Sequence, residues 1–103
     1  MGEFVTVGRA DEIGEGEAKA FPVGGSEIAV SRVSGTLYAF SDICTHRSCN
    51  LSMGGEIDGT EITCECHGST FDMATGEVVE GPAEEPIATL PVRDEGGDLQ
   101  VEV

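Results

Sequence analysis

The chain has 103 residues, the usual length of one domain and too short for two ordinary ones. Five Lys and Arg stand against twenty Asp and Glu, a formal net charge of −15. Such a surface repels phosphate backbones and anionic lipid, so no nucleic-acid partner and no membrane-surface role is expected. High charge can also signal disorder, but 39% of the residues are hydrophobic and they fall in patterned runs, so a folded domain is expected.

Taken in chain order, the sequence reads as short alternating runs cut by turn residues, which predicts an all-β fold. The N-terminal 17 residues are acidic and hold no hydrophobic stretch, so no secretory signal is read there. Gly2 with Thr6 matches a loose lipidation pattern, but Phe4 and Val5 read better as strand. Residues 4–7 form a first predicted strand and 12–17 an acidic, Gly-broken loop. Residues 18–23 and 27–33 flank Gly24-Gly25, a hairpin signal. Ser34-Gly35-Thr36 turns the chain into a strand over 37–40. Ile57 and Ile62 flank Asp58-Gly59, a second hairpin signal, and residues 70–73 and 77–79 flank a turn at Gly76. Residues 87–93 and 99–103 are the last two predicted strands, around Gly96-Gly97. No run approaches the roughly 18 apolar residues of a membrane span. The whole chain, 1–103, is read as a single domain: a strand scaffold over about 1–41 and 86–103, carrying a loop-rich insert over about 42–85.

The insert holds all four Cys and both His. Cysteines clustered within 23 residues, with no secretory signal, point to a metal in a reducing, cytoplasmic setting before a disulfide framework. Cys44-Thr45-His46 is followed, after seventeen residues, by Cys64-Glu65-Cys66-His67. Reduced to ligand candidates, this is C-x-H and C-x-x-H. A tetrahedral zinc would accept two Cys and two His. Finger-type zinc sites, however, pair Cys with Cys and His with His along the chain, whereas here each loop offers one of each. Two mixed loops facing each other can hold two irons, with both Cys on one and both His on the other.

Residues 44–49 and 64–72, together with Thr75-Gly76-Glu77 and Gly81-Pro82-Ala83, resemble the Rieske iron–sulfur proteins. The resemblance covers essentially the whole chain. It implies an antiparallel β-sandwich or barrel scaffold with a loop-rich cluster-binding subdomain, and one [2Fe–2S] cluster. By carry-over, Cys44 and Cys64 bind one iron and His46 and His67 the other. Two neutral imidazoles in place of two thiolates remove two negative charges from the cluster shell, so an added electron is easier to accept. Rieske potentials accordingly lie at roughly −150 to +300 mV, against about −400 mV for plant-type ferredoxins.

The remaining residues carry expectations from the same resemblance. Cys49 and Cys66 stand where high-potential members form a disulfide between the cluster loops; two thiols are the alternative in a reducing compartment. Ser69 matches a hydroxyl that donates to a cluster sulfur in that group, whereas Phe71 stands where those members carry a Tyr. One donor present and one absent predicts an intermediate potential. Ser48 and Glu65 depart from a usual Gly and a frequent Pro. Gly81-Pro82 reads either as part of a third loop shielding the cluster or as an ordinary turn. Arg47, the sole basic residue between positions 33 and 92, is either a docking contact or a solvated charge.

The function this implies is a cytoplasmic, monomeric one-electron carrier, a Rieske ferredoxin with no substrate site of its own. It would pass electrons from a flavoprotein reductase to a terminal ring-hydroxylating oxygenase of aromatic hydrocarbon catabolism, by transient electrostatic docking. No G-x-G-x-x-G follows a strand, so no dinucleotide site is read. The Rieske subunit of a quinol-oxidising complex, a nitrite reductase small subunit and a non-redox zinc module are the alternatives.

Overall fold

The computed structural model describes residues 3–23, 25–42, 50–52, 55–65, 68–81 and 85–102. Among these residues, strands account for the regular structure apart from one 3₁₀ turn at Ala10–Glu12, and every strand pair is antiparallel. The all-β expectation is met.

Three sheets form. The first contains β1 (Phe4–Arg9), β10 (Val92–Glu95) and β11 (Asp98–Glu102), in the order β1-β11-β10. Leu99 and Val101 on β11 are fully buried and alternate with the polar Asp98, Gln100 and Glu102, the period-two pattern of a strand with one face inward. The second sheet contains β2 (Ala18–Val23), β3 (Ser26–Val33), β4 (Thr36–Ser41) and β9 (Thr89–Leu90), in that order. The third contains β5 (Glu56–Asp58), β6 (Glu61–Thr63), β7 (Thr70–Asp72) and β8 (Val78–Glu80), also in that order.

The second sheet is a wall shared by two apolar cores. Its central strand β3 buries four residues in a row, Ile28 to Ser31, because both of its faces are covered. Parity then sorts the side chains. Ile28 and Val30, with Ala39 of β4, join Phe21, Leu99 and Val101 in a core against the first sheet. Ala29, with Phe40 of β4, joins Leu51, Ile62, Phe71 and Met73 in a core against the third. Ser31 faces the same way as Ala29, and its hydroxyl donates to the Met73 sulfur at 3.2 Å.

Two sequence expectations need correction. The run over 87–93 is two short strands in different sheets, not one. Pro91 lies between them; it has no N–H for a ladder, and its carbonyl accepts from the Glu102 amide at 2.9 Å. Ile87, expected to begin a scaffold strand, lies outside any strand and is buried in the core under the third sheet.

Candidate metal centre

Of the residues expected at the metal site, Cys64 and Ser69 are described, whereas Cys44, His46, Cys49, Cys66, His67, Arg47 and Pro82 lie outside the described residues. The described segments fix where both ligand-bearing stretches begin and end.

The second stretch is the connection between β6 and β7. Thr63 and Thr70 pair across the ladder, and their hydroxyls meet at 2.9 Å. The Cys64 amide donates to the Ser69 carbonyl at 2.7 Å, and the Gly68 amide to the Cys64 carbonyl at 3.0 Å. The connection is thereby closed at its root, with Cys64 and Ser69 opposed. Cys64 is 2% exposed and belongs to the apolar core that contains Leu51, Ile62 and Phe71; Ser69 is fully buried. Beside Cys64 opens a depression of about 370 Å³, lined also by Glu56, Thr63, Glu65 and Gly68. Phe71 is fully buried and supplies a ring without a hydroxyl.

The first stretch starts from the end of β4 and returns at Asn50. Asp42 continues the β3–β4 pairing, its amide donating to the Glu27 carbonyl at 3.1 Å. Its carbonyl accepts the Leu51 amide at 2.6 Å. Its side chain is fully buried and accepts on both oxygens: the Ser52 amide at 2.7 Å on Oδ1, and the Asn50 side-chain amide at 2.7 Å and the Ser52 hydroxyl at 3.0 Å on Oδ2. Asn50 donates through the same nitrogen to the exposed Glu27 carboxylate. The two ends of residues 43–49 are thus laced together on one buried carboxylate. Leu51, between the laced residues, reaches into the core that holds Cys64. Gly55 then passes so close to this turn that a Cβ would collide with the Leu51 carbonyl oxygen.

Sequence reading missed Asp42 and its partners. Their signal was available only as an Asp ahead of the first Cys, with Asn and Ser eight and ten residues later, a spacing that means nothing until the intervening segment closes.

Both stretches are anchored on one apolar core, and the four Cys and two His they carry between them suit an iron–sulfur centre, because soft sulfur ligands in an apolar shell favour such clusters. The chain belongs to the Rieske [2Fe–2S] domain family, whose match spans residues 3–91. A Rieske-type [2Fe–2S] cluster is therefore its cofactor. Its relatives in that family include ferredoxin components of dioxygenase systems. The chain is 35% identical over 102 residues to the ferredoxin component of the p-cumate 2,3-dioxygenase system of Pseudomonas putida, covering 98% of this chain and 86% of that one. Its fold matches the ferredoxin of carbazole 1,9a-dioxygenase from Nocardioides aromaticivorans IC177 with a TM-score of 0.89, at 32% identity and 95% coverage of both chains. It also matches a chain in the complex of reduced oxygenase and oxidized ferredoxin of carbazole 1,9a-dioxygenase, with a TM-score of 0.87 and 32% identity, covering 95% of this chain and 91% of that one.

Proposed function

We propose that this chain is the one-electron carrier of a ring-hydroxylating dioxygenase system, taking electrons from a flavoprotein reductase and handing them to a terminal oxygenase. The observation that carries the reading is the end-to-end likeness to stand-alone ferredoxin components, 98% of this chain in one case and 95% in another. The cluster supplies a single reversible electron and no substrate chemistry. This chain's part is to hold it, set its potential and present it to partners.

In this reading Cys44 and Cys64 ligate one iron and His46 and His67 the other. The buried Cys64 and the closed root of its connection support its share of that assignment. Ser69, buried opposite Cys64 at that root, donates its hydroxyl to a cluster sulfur and so raises the potential, and Cys49 with Cys66 forms the bridge between the cluster loops. Pro82 belongs to a shielding third loop. In the same reading the chain divides into a scaffold over about 1–41 and 86–103 and a cluster-binding part over about 42–85, with Phe40 and Ile87 reaching into the latter's core.

Charge sets how partners are met. The four described basic side chains are engaged on the scaffold. Arg9 pairs with Asp98 and Lys19 with Glu12, Arg32 donates to the carbonyls of Ile13 and Ala10, and Arg93 binds Gln100 and lies over the Phe4 ring. Arg47 is left as the one basic residue of the cluster-binding part, among ten acids between Asp42 and Glu85. A monomeric, cytoplasmic carrier of this sign suits brief encounters with basic patches on two successive partners. No helix among the described residues is long and apolar enough to cross a membrane.

The test is reconstitution. The purified protein should carry two irons and two sulfides, and the reduced form should show the EPR signal of mixed His and Cys ligation. It should also support turnover of an oxygenase with its reductase, at rates that fall as salt rises. An iron-free zinc protein, or one that no oxygenase oxidises, overturns the reading. A salt-insensitive rate removes the electrostatic part alone.

A further inference from the structure

We infer that Thr63 and Thr70 are positioning residues for the cluster. The hydrogen bond between their hydroxyls bolts the β6–β7 ladder at the rung from which the Cys64-bearing connection leaves, and so fixes the backbone that presents Cys64. This inference rests on the reading that Cys64 ligates the cluster.

Four observations carry it. First, the rung stands at the mouth of the site. Thr63 ends β6 and Thr70 begins β7, so Cys64 follows one and Ser69 precedes the other. Thr63 also lines the depression beside Cys64. Second, the two hydroxyls meet at 2.9 Å, with Thr63 half-buried and Thr70 buried. A hydrogen bond fixes a separation and a direction, whereas apolar contact is non-directional. Third, the next rung inward is held by other means. Ile62 and Phe71 pair there and are fully buried in the core under the third sheet. Strand alternation turns Thr63 and Thr70 to the opposite face, which they share with Glu61 and Asp72. Those two acids stand directly across the ladder from each other, and like charges so placed weaken it. Fourth, the far side of β7 gives the rung irregular support, because the β7–β8 register shifts between Thr70 and Phe71 as at a bulge.

On that face of a ladder three residues long, one rung repels and the other is closed by the hydroxyl bond. With the rung closed, the Cys64 amide meets the Ser69 carbonyl at 2.7 Å, and the root of the connection is set. Substitution separates this role from plain strand formation. Val keeps the shape and strand preference of Thr and has no hydroxyl. Ser keeps the hydroxyl and loses the β-branch. If the hydroxyl bond positions Cys64, Val is the damaging change and Ser the tolerated one. If the two residues serve only as strand formers, the order reverses.

The experiment uses the cluster-loaded protein and its Thr63→Val, Thr63→Ser, Thr70→Val and Thr70→Ser variants. Release of the cluster to an iron chelator is followed by visible absorbance, and amide hydrogen exchange is read at Cys64. Each Val variant should lose its cluster about fivefold faster than wild type, the weight of one ordinary hydrogen bond, and exchange faster at Cys64. Each Ser variant should stay close to wild type in both. A variant that loads no cluster is scored as losing it, and if the buried Thr70 tolerates neither change, the half-buried Thr63 pair decides by the same comparison. Ser variants that lose the cluster as fast as Val variants, or Val variants that match wild type, overturn the inference alone. A wild-type protein without the mixed-ligand EPR signal overturns the cluster reading itself, and this inference with it.

Discussion

The two faces of the second sheet are built on different principles. On one face lies the scaffold core, closed by strands β1 and β11 that run antiparallel over their lengths and by side chains such as Phe21, Val30, Leu99 and Val101. Its surface is stitched by ion pairs, Arg9 with Asp98 and Lys19 with Glu12. On the other face lies the core beneath the candidate metal centre, where each strand of the third sheet has only three residues. Ladders that short hold little by themselves. Side chains complete the work there: Asp42 laces two chain ends, Asp72 accepts the amides of Ala74 and Thr75, and Met73 takes the Ser31 hydroxyl. The regular half gives a rigid wall, and the irregular half uses polar side chains to place loops against it. A redox site needs that arrangement, because its ligands sit on loops whose geometry no ladder sets.

The largest test of this contrast is Phe40→Ala. Phe40 belongs to a wall strand yet is fully buried in the core under the centre. Its truncation should cost about 3–5 kcal/mol. Because the wall is common to both cores, denaturant titration of the holo protein should show visible cluster absorbance and far-UV circular dichroism lost together. If the cluster leaves while strand signal persists, the two faces are separate cooperative units and the shared wall is not what joins them.

A second, smaller test acts only on the irregular side. Gly76 closes the β7–β8 turn at φ +82°, donates to the Asp72 carbonyl at 2.6 Å and accepts the Ile87 amide at 2.9 Å. A Cβ there would be both left-handed and driven into the Ile87 carbonyl oxygen. The conformation alone costs roughly 1–2 kcal/mol, so Gly76→Ala should lose about 2 kcal/mol once the displacement of Ile87 is included. Hydrogen exchange should quicken at β7 and β8 before β1 and β11. Uniform quickening across both faces would break the contrast.

How much of this was legible in the sequence follows from the same division. Alternation exposed the scaffold strands, and Asp58-Gly59 marked the β5–β6 hairpin, because period two and turn chemistry are local. The Cys and His spacing exposed the cofactor and family. Three things were not local. Ala29 and Phe40 fall on the far side of the wall from Val30 and Ala39, and a buried run on β3 does not say which neighbour covers which face. Pro91 reads as a mere interruption, yet it separates strands of two sheets. Asp42 reads as one acid among twenty, because a latch between residues 42, 50 and 52 has no periodic signature.

The smallest expected effect sharpens the comparison of clamps. The scaffold has its own carboxylate clamp, but an exposed one. Glu15 accepts the amides of Ser34 at 2.5 Å and Gly35 at 3.1 Å, across the β3–β4 turn where Ser34 adopts φ +52°. The Ser34 amide, then the Gly35 amide, hold its carboxyl below the ordinary value of 4.5; desolvation pushes the other way, and the Arg32 charge adds the smallest pull downward. A folded value below the unfolded one means that the unfolded chain binds more protons near that pH. The stabilisation is therefore present above about 4.5 and is lost as pH falls through the lower folded value. Glu15→Gln should accordingly be less stable than wild type at pH 7, with the gap narrowing as pH falls below 4.5, by thermal melts at each pH. The visible spectrum of the holo protein at pH 7 should not change, since this clamp lies on the scaffold. A spectrum that shifts with Glu15→Gln would mean that the turn and the centre communicate through the wall, and that exposed clamps on one face matter to the other.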